Sequence, residues 1–204
     1  MKKEYVLGIL LFSGLWGLSE ALLGSVLYTE NGSVLYASVP LTLIAFAILT
    51  VARIYMPMKG TSTAIALCAM LFKFLNEPFF ACHLLGIAMV GICYDIFFSF
   101  IQVKNKSASA FAAAIVNYVL FAFMMTYVTN NGYWNTTKLT GHISEGLLAA
   151  VGCAIIVPLI IQFGSLAKNR IDKSLTAQWN PAMGMALLCT FGLWAFSIAA
   201  FLQR

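Results

Sequence analysis

Seven apolar runs follow one another along this chain with only short polar breaks between them. Each run is close to the ~20 residues that a helix needs to cross the hydrocarbon layer of a bilayer. They run about Tyr5–Tyr28, Val34–Tyr55, Thr61–Glu77, Phe79–Gln102, Ala108–Val128, Gly141–Leu166 and Pro181–Gln203. Of 204 residues, 61% are apolar and only 9% charged, whereas soluble domains carry about 25% charged residues. Nineteen charged side chains (12 basic, 7 acidic) cannot cover a water-facing surface. A soluble enzyme, a disordered chain and a secreted disulfide scaffold are thereby excluded. The expected fold is all-α: a polytopic transmembrane helix bundle of seven spans, with six as the alternative count, forming one integral membrane domain over residues 1–204.

The breaks between spans carry turn chemistry. Thr29–Ser33 reads as a tight polar turn, Met56–Gly60 holds a helix-breaking Pro57, and Lys104–Ser107 is polar. Spans 3 and 4 share one apolar stretch hinged only at Asn76-Glu77-Pro78. Thr129–Thr140 reads as a surface loop and Lys168–Asn180 as the longest connection. Asn180-Pro181 starts span 7 as N-cap and first helical residue. The opening Met1-Lys2-Lys3-Glu4 and its apolar run look like a signal peptide, but the run exceeds 20 residues and no A-x-A site follows, so an uncleaved first span is expected.

Charge orients the spans. With the N-terminus inside and seven crossings, the cytoplasmic side holds Lys2, Lys3, Arg53, Lys59, Lys104, Lys106, Lys168, Arg170 and Lys173. The outside holds only Lys138 and Arg204, and Lys73 lies within span 3. Positive-inside bias therefore predicts N-in/C-out, in the cytoplasmic (inner) membrane of a cell. The +5 net charge belongs to these loops and not to a nucleic-acid surface. Tyr133 and Trp134 fall at the outer boundary and Trp179 at the inner one. The five cysteines, Cys68, Cys82, Cys93, Cys153 and Cys189, lie in apolar runs without a CxxC pair and read as small buried hydrophobes. Gly17, Ala21 and Gly24 in span 1, and Ala110 and Ala114 in span 5, form small-residue stripes that allow close helix approach.

Ionisable groups at membrane depth cost at least ~2.5–3.5 kcal/mol each near mid-bilayer, so each needs a partner or a cavity. At 1.5 Å per residue, Glu20 lies about 22 Å above the inner start of span 1 and Lys73 about 20 Å up span 3. Glu77, His83, His142 and Glu145 fall close to the outer boundary as well. Six ionisable groups thus gather in the outer third, while Asp95 alone lies toward the cytoplasm and Asn117 near the midplane. An outward-facing polar cavity lined by Trp16, Glu20, Lys73, Asn76, Glu77, His83, His142 and Glu145 follows as the expected substrate site. His83, His142 and Glu145 offer nitrogen and oxygen ligands for a divalent metal ion. Structural pairing among these groups is the alternative. The chain has no GxSG-type nucleophile and no HExxH, so enzyme chemistry would rest on a carboxylate dyad such as Glu20 with Glu145. Glu20 should pair with Lys73 or with a ligand. With a single acid in the inner half, a proton path complete within one chain is not expected.

A small, loop-poor, apolar chain with an outward-facing polar cavity resembles the substrate-binding membrane (S) subunits of energy-coupling-factor importers. His142-Ile143-Ser144-Glu145-Gly146 is similar to the His-Ile-x-Glu/Asp-Gly stretch of the cobalt and nickel members, where it stands at the N-terminus; here it leads into a span internally. The resemblance implies capture of a vitamin-like solute or metal ion outside the cell, and work with a separate transmembrane subunit and two ATPases. The family's usual six spans and the AxxxA signature of its first helix are departures from what this chain shows.

Overall fold

The structure, a computed structural model, describes residues 3–31, 34–75, 81–101, 104–128, 136–174 and 181–202. Among these the chain is helical throughout its regular elements, with no strand. The helices are α1 (Lys3–Asn31), α2 (Val34–Tyr55), α3 (Thr61–Ala69), α4 (Ala81–Asp95), α5 (Lys106–Phe123), α6 (Thr136–Ser174) and α7 (Pro181–Leu202). A 3₁₀ segment, Met70–Leu75, extends α3, and π-helical turns extend α4 (Ile96–Ile101) and α5 (Met124–Val128). Five helices hold stretches long and apolar enough to cross a membrane: Tyr5–Gly24, Ala37–Tyr55, Cys82–Ile101, Lys106–Tyr127 and Gly141–Lys168. Thr61–Phe74 is apolar but shorter. The outward face of α6 exposes Leu147, Val151, Ile155, Leu159 and Phe163 at four-residue spacing. Such a stripe would be an aggregation liability in water and is ordinary contact with lipid.

Six helices close into a ring in the order α1, α2, α6, α5, α4, α3 and back to α1, while α7 packs outside it against α1 and the 3₁₀ segment. The pairings of side chains fix the directions. Gly8 of α1 lies against Met56 after α2, and Gly24 lies near Leu41, so α1 and α2 are antiparallel. Ser38 meets Glu145, and Ile54 meets Gly164, so α2 and α6 run the same way. The end where α1 begins is here the basal end, and the opposite end is distal. The ring is filled by Trp16, Phe46, Leu49, Ile65, Tyr94 and Val157, all fully buried. Tyr94 stacks on Phe98 at 4.3 Å and meets Phe46 edge-on at 5.4 Å. Ala110 and Ala114 are fully buried, as the small-residue stripe of span 5 requires. On α7, Trp194 donates to the Leu10 carbonyl at 3.1 Å and meets Phe72 edge-on, while Leu188, Cys189, Phe191, Phe196 and Ile198 face outward. Cys189 is thus an outward-facing residue of the outer helix and departs from the buried role expected of all five cysteines; Cys93 and Cys153 are buried.

Asp95 ties the basal end together. Gly60, at φ 82°, starts α3 in a left-handed conformation and has no side chain to cap it. The carboxylate of Asp95, from α4, takes that role: it accepts from the Thr63 N–H and the Thr63 hydroxyl, both at 2.8 Å. Ser99 donates to its other oxygen at 3.1 Å, and Arg53 of α2 pairs with it at 3.4 Å. Lys168 of α6 donates to the Ile54 carbonyl at 2.9 Å, satisfying the C-terminus of α2. The Asn105 side chain caps α5 through Ser107 N and Ala108 N.

Several helices outrun the spans expected from hydropathy. α1 continues to Asn31, through residues expected to turn, and α6 begins at Thr136 and ends at Ser174. The expected loop over Thr129–Thr140 and the connection from Lys168 are therefore partly helical. Loss of apolar residues marks where a helix leaves the hydrocarbon, not where it stops; Lys168–Ser174 contains neither Gly nor Pro to end it.

Gly91 sets the approach of α4 to α3. A Cβ there would collide with the Ala66 side chain and stand 2.8 Å from the Ser62 carbonyl oxygen, which is backbone and cannot give way. Gly91→Ala should therefore lower stability by about 1–3 kcal/mol, the usual range for overpacking. Gly192→Ala on α7, where a Cβ meets nothing within 4 Å, should not. Melting temperatures of the two variants in one detergent check this contrast.

Candidate functional site

The first distal cluster lies between α1 and the 3₁₀ segment. Lys73 Nζ sits 3.2 Å from Glu20 Oε2 and donates to the Glu20 carbonyl oxygen, also at 3.2 Å. Trp16, one turn below, donates its indole N–H to Glu20 Oε1 at 3.3 Å. Trp16 is fully buried, and Glu20 and Lys73 are 9% and 6% exposed. Both carboxylate oxygens of Glu20 are engaged, so the pair expected from depth alone is present as a closed triad. Gly24 borders the triad: a Cβ there would stand 3.6 Å from Lys73 Nζ, an ordinary contact. His83, at the start of α4, lies within electrostatic range of the Lys73 ammonium.

The second cluster joins α2, α5 and α6. Ser38 donates to Glu145 Oε2 at 2.7 Å, and His142 Nδ1 lies 3.7 Å from the same oxygen. Tyr118 donates to Ser38 at 3.2 Å and shares a 3.1 Å hydrogen bond with Thr42. The His142 ring packs at 4.8 Å from Tyr118 and 5.5 Å from Phe121. A Cβ on Gly146 would stand 2.6 Å from the Cβ of Tyr118, so glycine lets α6 lie directly on that tyrosine. The Glu145 Oε1 atom is buried without a hydrogen-bond partner, a situation that costs about 1–3 kcal/mol for a neutral acceptor and more for a charged one.

The two clusters share one level of the bundle. Leu41, beside Thr42 in α2, approaches Gly24 next to Lys73. Every helix of the ring thus brings a polar or ionisable side chain to the distal half: Glu20, Ser38, Lys73, His83, Tyr118 and Glu145. Asn76 and Glu77, also expected there, lie outside the described residues.

The metal set expected from His83, His142 and Glu145 does not converge. His142 and Glu145 meet, but α5 stands between α4 and α6 in the ring. Among the described residues no group of three His, Cys, Asp or Glu side chains is placed to hold a metal ion. Nor do the described contacts join Glu20 and Glu145 as a dyad, since each has its own partners. Ser38, Thr42, Tyr118 and Phe121 were not foreseen from the sequence. The available signal was depth: Ser38 and Thr42, at i and i+4, lie about 6 and 12 Å from the distal start of α2, matching Glu145. Comparison with protein-family models, curated proteins and solved structures finds no match to the chain.

The Glu20–Lys73 pair yields a prediction. Lys73→Met should destabilise the protein by about 3–5 kcal/mol, because it leaves Glu20 buried without its counter-charge. Glu20→Gln with Lys73→Met should recover a large part of the loss. A double-mutant cycle on unfolding in detergent measures the coupling, and additive effects would contradict the pairing.

Proposed function

We propose that this chain is a seven-span, N-in/C-out subunit of the cytoplasmic membrane that binds a small polar solute at its distal end, facing outside, for uptake. The observation that carries this proposal is the distal polar belt, to which all six ring helices contribute. A merely structural ion pair needs two helices, not six. The basal end supports the orientation, since Arg53, Lys59, Lys104, Lys106 and Lys168 gather there. The ring also reduces the departure in span number: six helices form the body, and α7 is applied to its outside. The stretch similar to that of energy-coupling-factor S subunits brings His142 and Glu145 together, one turn apart on α6. Release of the solute inside would then fall to a partner transmembrane subunit driven by ATPases, because among the described residues within the basal half of the candidate spans Asp95 is the one acid, and it is held by Thr63, Ser99 and Arg53.

Topology is the direct test. In a background without native cysteines, Asn31→Cys and Asn135→Cys should react with an impermeant thiol reagent on intact cells. Lys59→Cys, Asn105→Cys and Arg170→Cys should react only after permeabilisation. Positions 59 and 105 on opposite sides would merge α3 and α4 into a single crossing and end the proposal. Native mass spectrometry of the purified protein should then detect a co-purifying small solute.

A further inference from the structure

We infer that Glu145, with Ser38, Tyr118 and His142, recognises the N–H-donating head of a small organic cation, such as an ammonium or amidinium group. This inference rests on the solute-binding proposal above and names the class of solute. Its basis is a contrast between the two distal acids. Glu20 is closed on both oxygens by Trp16 and Lys73. Glu145 is closed on one only: Ser38 holds Oε2, which fixes the plane of the carboxylate and leaves Oε1 buried without a hydrogen-bond partner.

The unfilled valences are of one kind. Three buried side-chain polar atoms lack a hydrogen-bond partner among the described residues: Asn117 Oδ1, Thr126 Oγ1 and Glu145 Oε1. All three belong to α5, its π-helical extension and the distal part of α6, and none to α1 or α3. Two of them can only accept. This side of the bundle is short of donors, not of acceptors, so a ligand that supplies N–H groups fits and a carboxylate or phosphate does not. Charge points the same way. Lys73 cancels Glu20, whereas no lysine or arginine among the described residues pairs with Glu145, whose one ionic neighbour there is the His142 ring at 3.7 Å. The rings of Tyr118 and Phe121, 4.8 and 5.5 Å from the His142 ring, add aromatic surface of the kind that favours a cation. The cluster stands on helices locked by the Gly146–Tyr118 contact, which keeps its geometry fixed before binding.

The test uses the full chain in detergent and four probes of one size: benzylammonium, benzamidinium, benzamide and benzoate. The two cations should bind saturably by isothermal titration and raise the melting temperature, and the neutral and anionic probes should not. Glu145→Gln, which keeps the shape, should weaken cation binding by about tenfold or more, the range for a charge-assisted hydrogen bond. Ser38→Ala keeps the charge but frees its orientation, and should weaken binding by about threefold, less than loss of the charge itself. Gly192→Ala should bind like the parent. Binding of benzamide or benzoate as tight as that of the cations, cation binding unchanged in Glu145→Gln, or no binding of any probe would each overturn the inference. The uptake proposal is decided separately, by the labelling pattern and the co-purifying solute.

Discussion

A charge placed among apolar helices must find its counter-charge or its hydrogen bonds on another helix, because neither lipid nor a packed core offers water. This requirement organises the whole bundle. At the basal end it brings Arg53, Thr63 and Asp95 together from three helices and so fixes where α3 begins. At the distal end it brings Lys73 onto Glu20 and Ser38 onto Glu145. The apolar contacts between these levels are interchangeable in kind; the polar ones have a single solution, and they set the register of each helix against its neighbour. The same requirement separates structural from functional groups. Asp95 and Glu20 are saturated by the protein itself, whereas Glu145 keeps an unfilled oxygen at the place where α2, α5 and α6 meet.

How far the fold could be read from the chain depends on which physical signal was present. Apolar runs of bilayer length located the helices, since burial in lipid leaves that pattern whatever the packing. Polar tails such as Lys168–Ser174 gave no sign of remaining helical, because hydropathy reports depth and not hydrogen bonding. The ring order was not legible either. Nothing in the sequence says that α6 inserts between α2 and α5, or that α5 then stands between α4 and α6 and parts His83 from His142. The Glu20–Lys73 pair was legible, because two deep opposite charges at matching depth have few other partners. Ser38, Thr42 and Tyr118 were not, because hydroxyls are common in apolar helices and identify themselves only through their neighbours.

The seventh helix stands outside the ring. α7 is held by Trp194, through the Leu10 carbonyl and the Phe72 ring, and exposes most of its described surface. The described residues of the polar belt all lie on the six ring helices and the 3₁₀ segment. Six helices form the ring, and α7 adds an outward-facing apolar surface beside α1. The closure of α3 by a 3₁₀ segment, with Lys73 on it, belongs to the same economy. A tighter winding with a longer rise per residue carries a short helix to the level at which Glu20 needs its partner.

The central claim is that the belt opens to the outside, and the reactivity of one position measures it most directly. Ser38 is partly exposed, donates to Glu145 and lies at the meeting of α2, α5 and α6. In a background free of native cysteines, Ser38→Cys in right-side-out and inside-out vesicles should be challenged with a charged methanethiosulfonate reagent. Reaction from the outer face alone is the predicted result. Reaction from the inner face alone, or from neither face, would contradict the account.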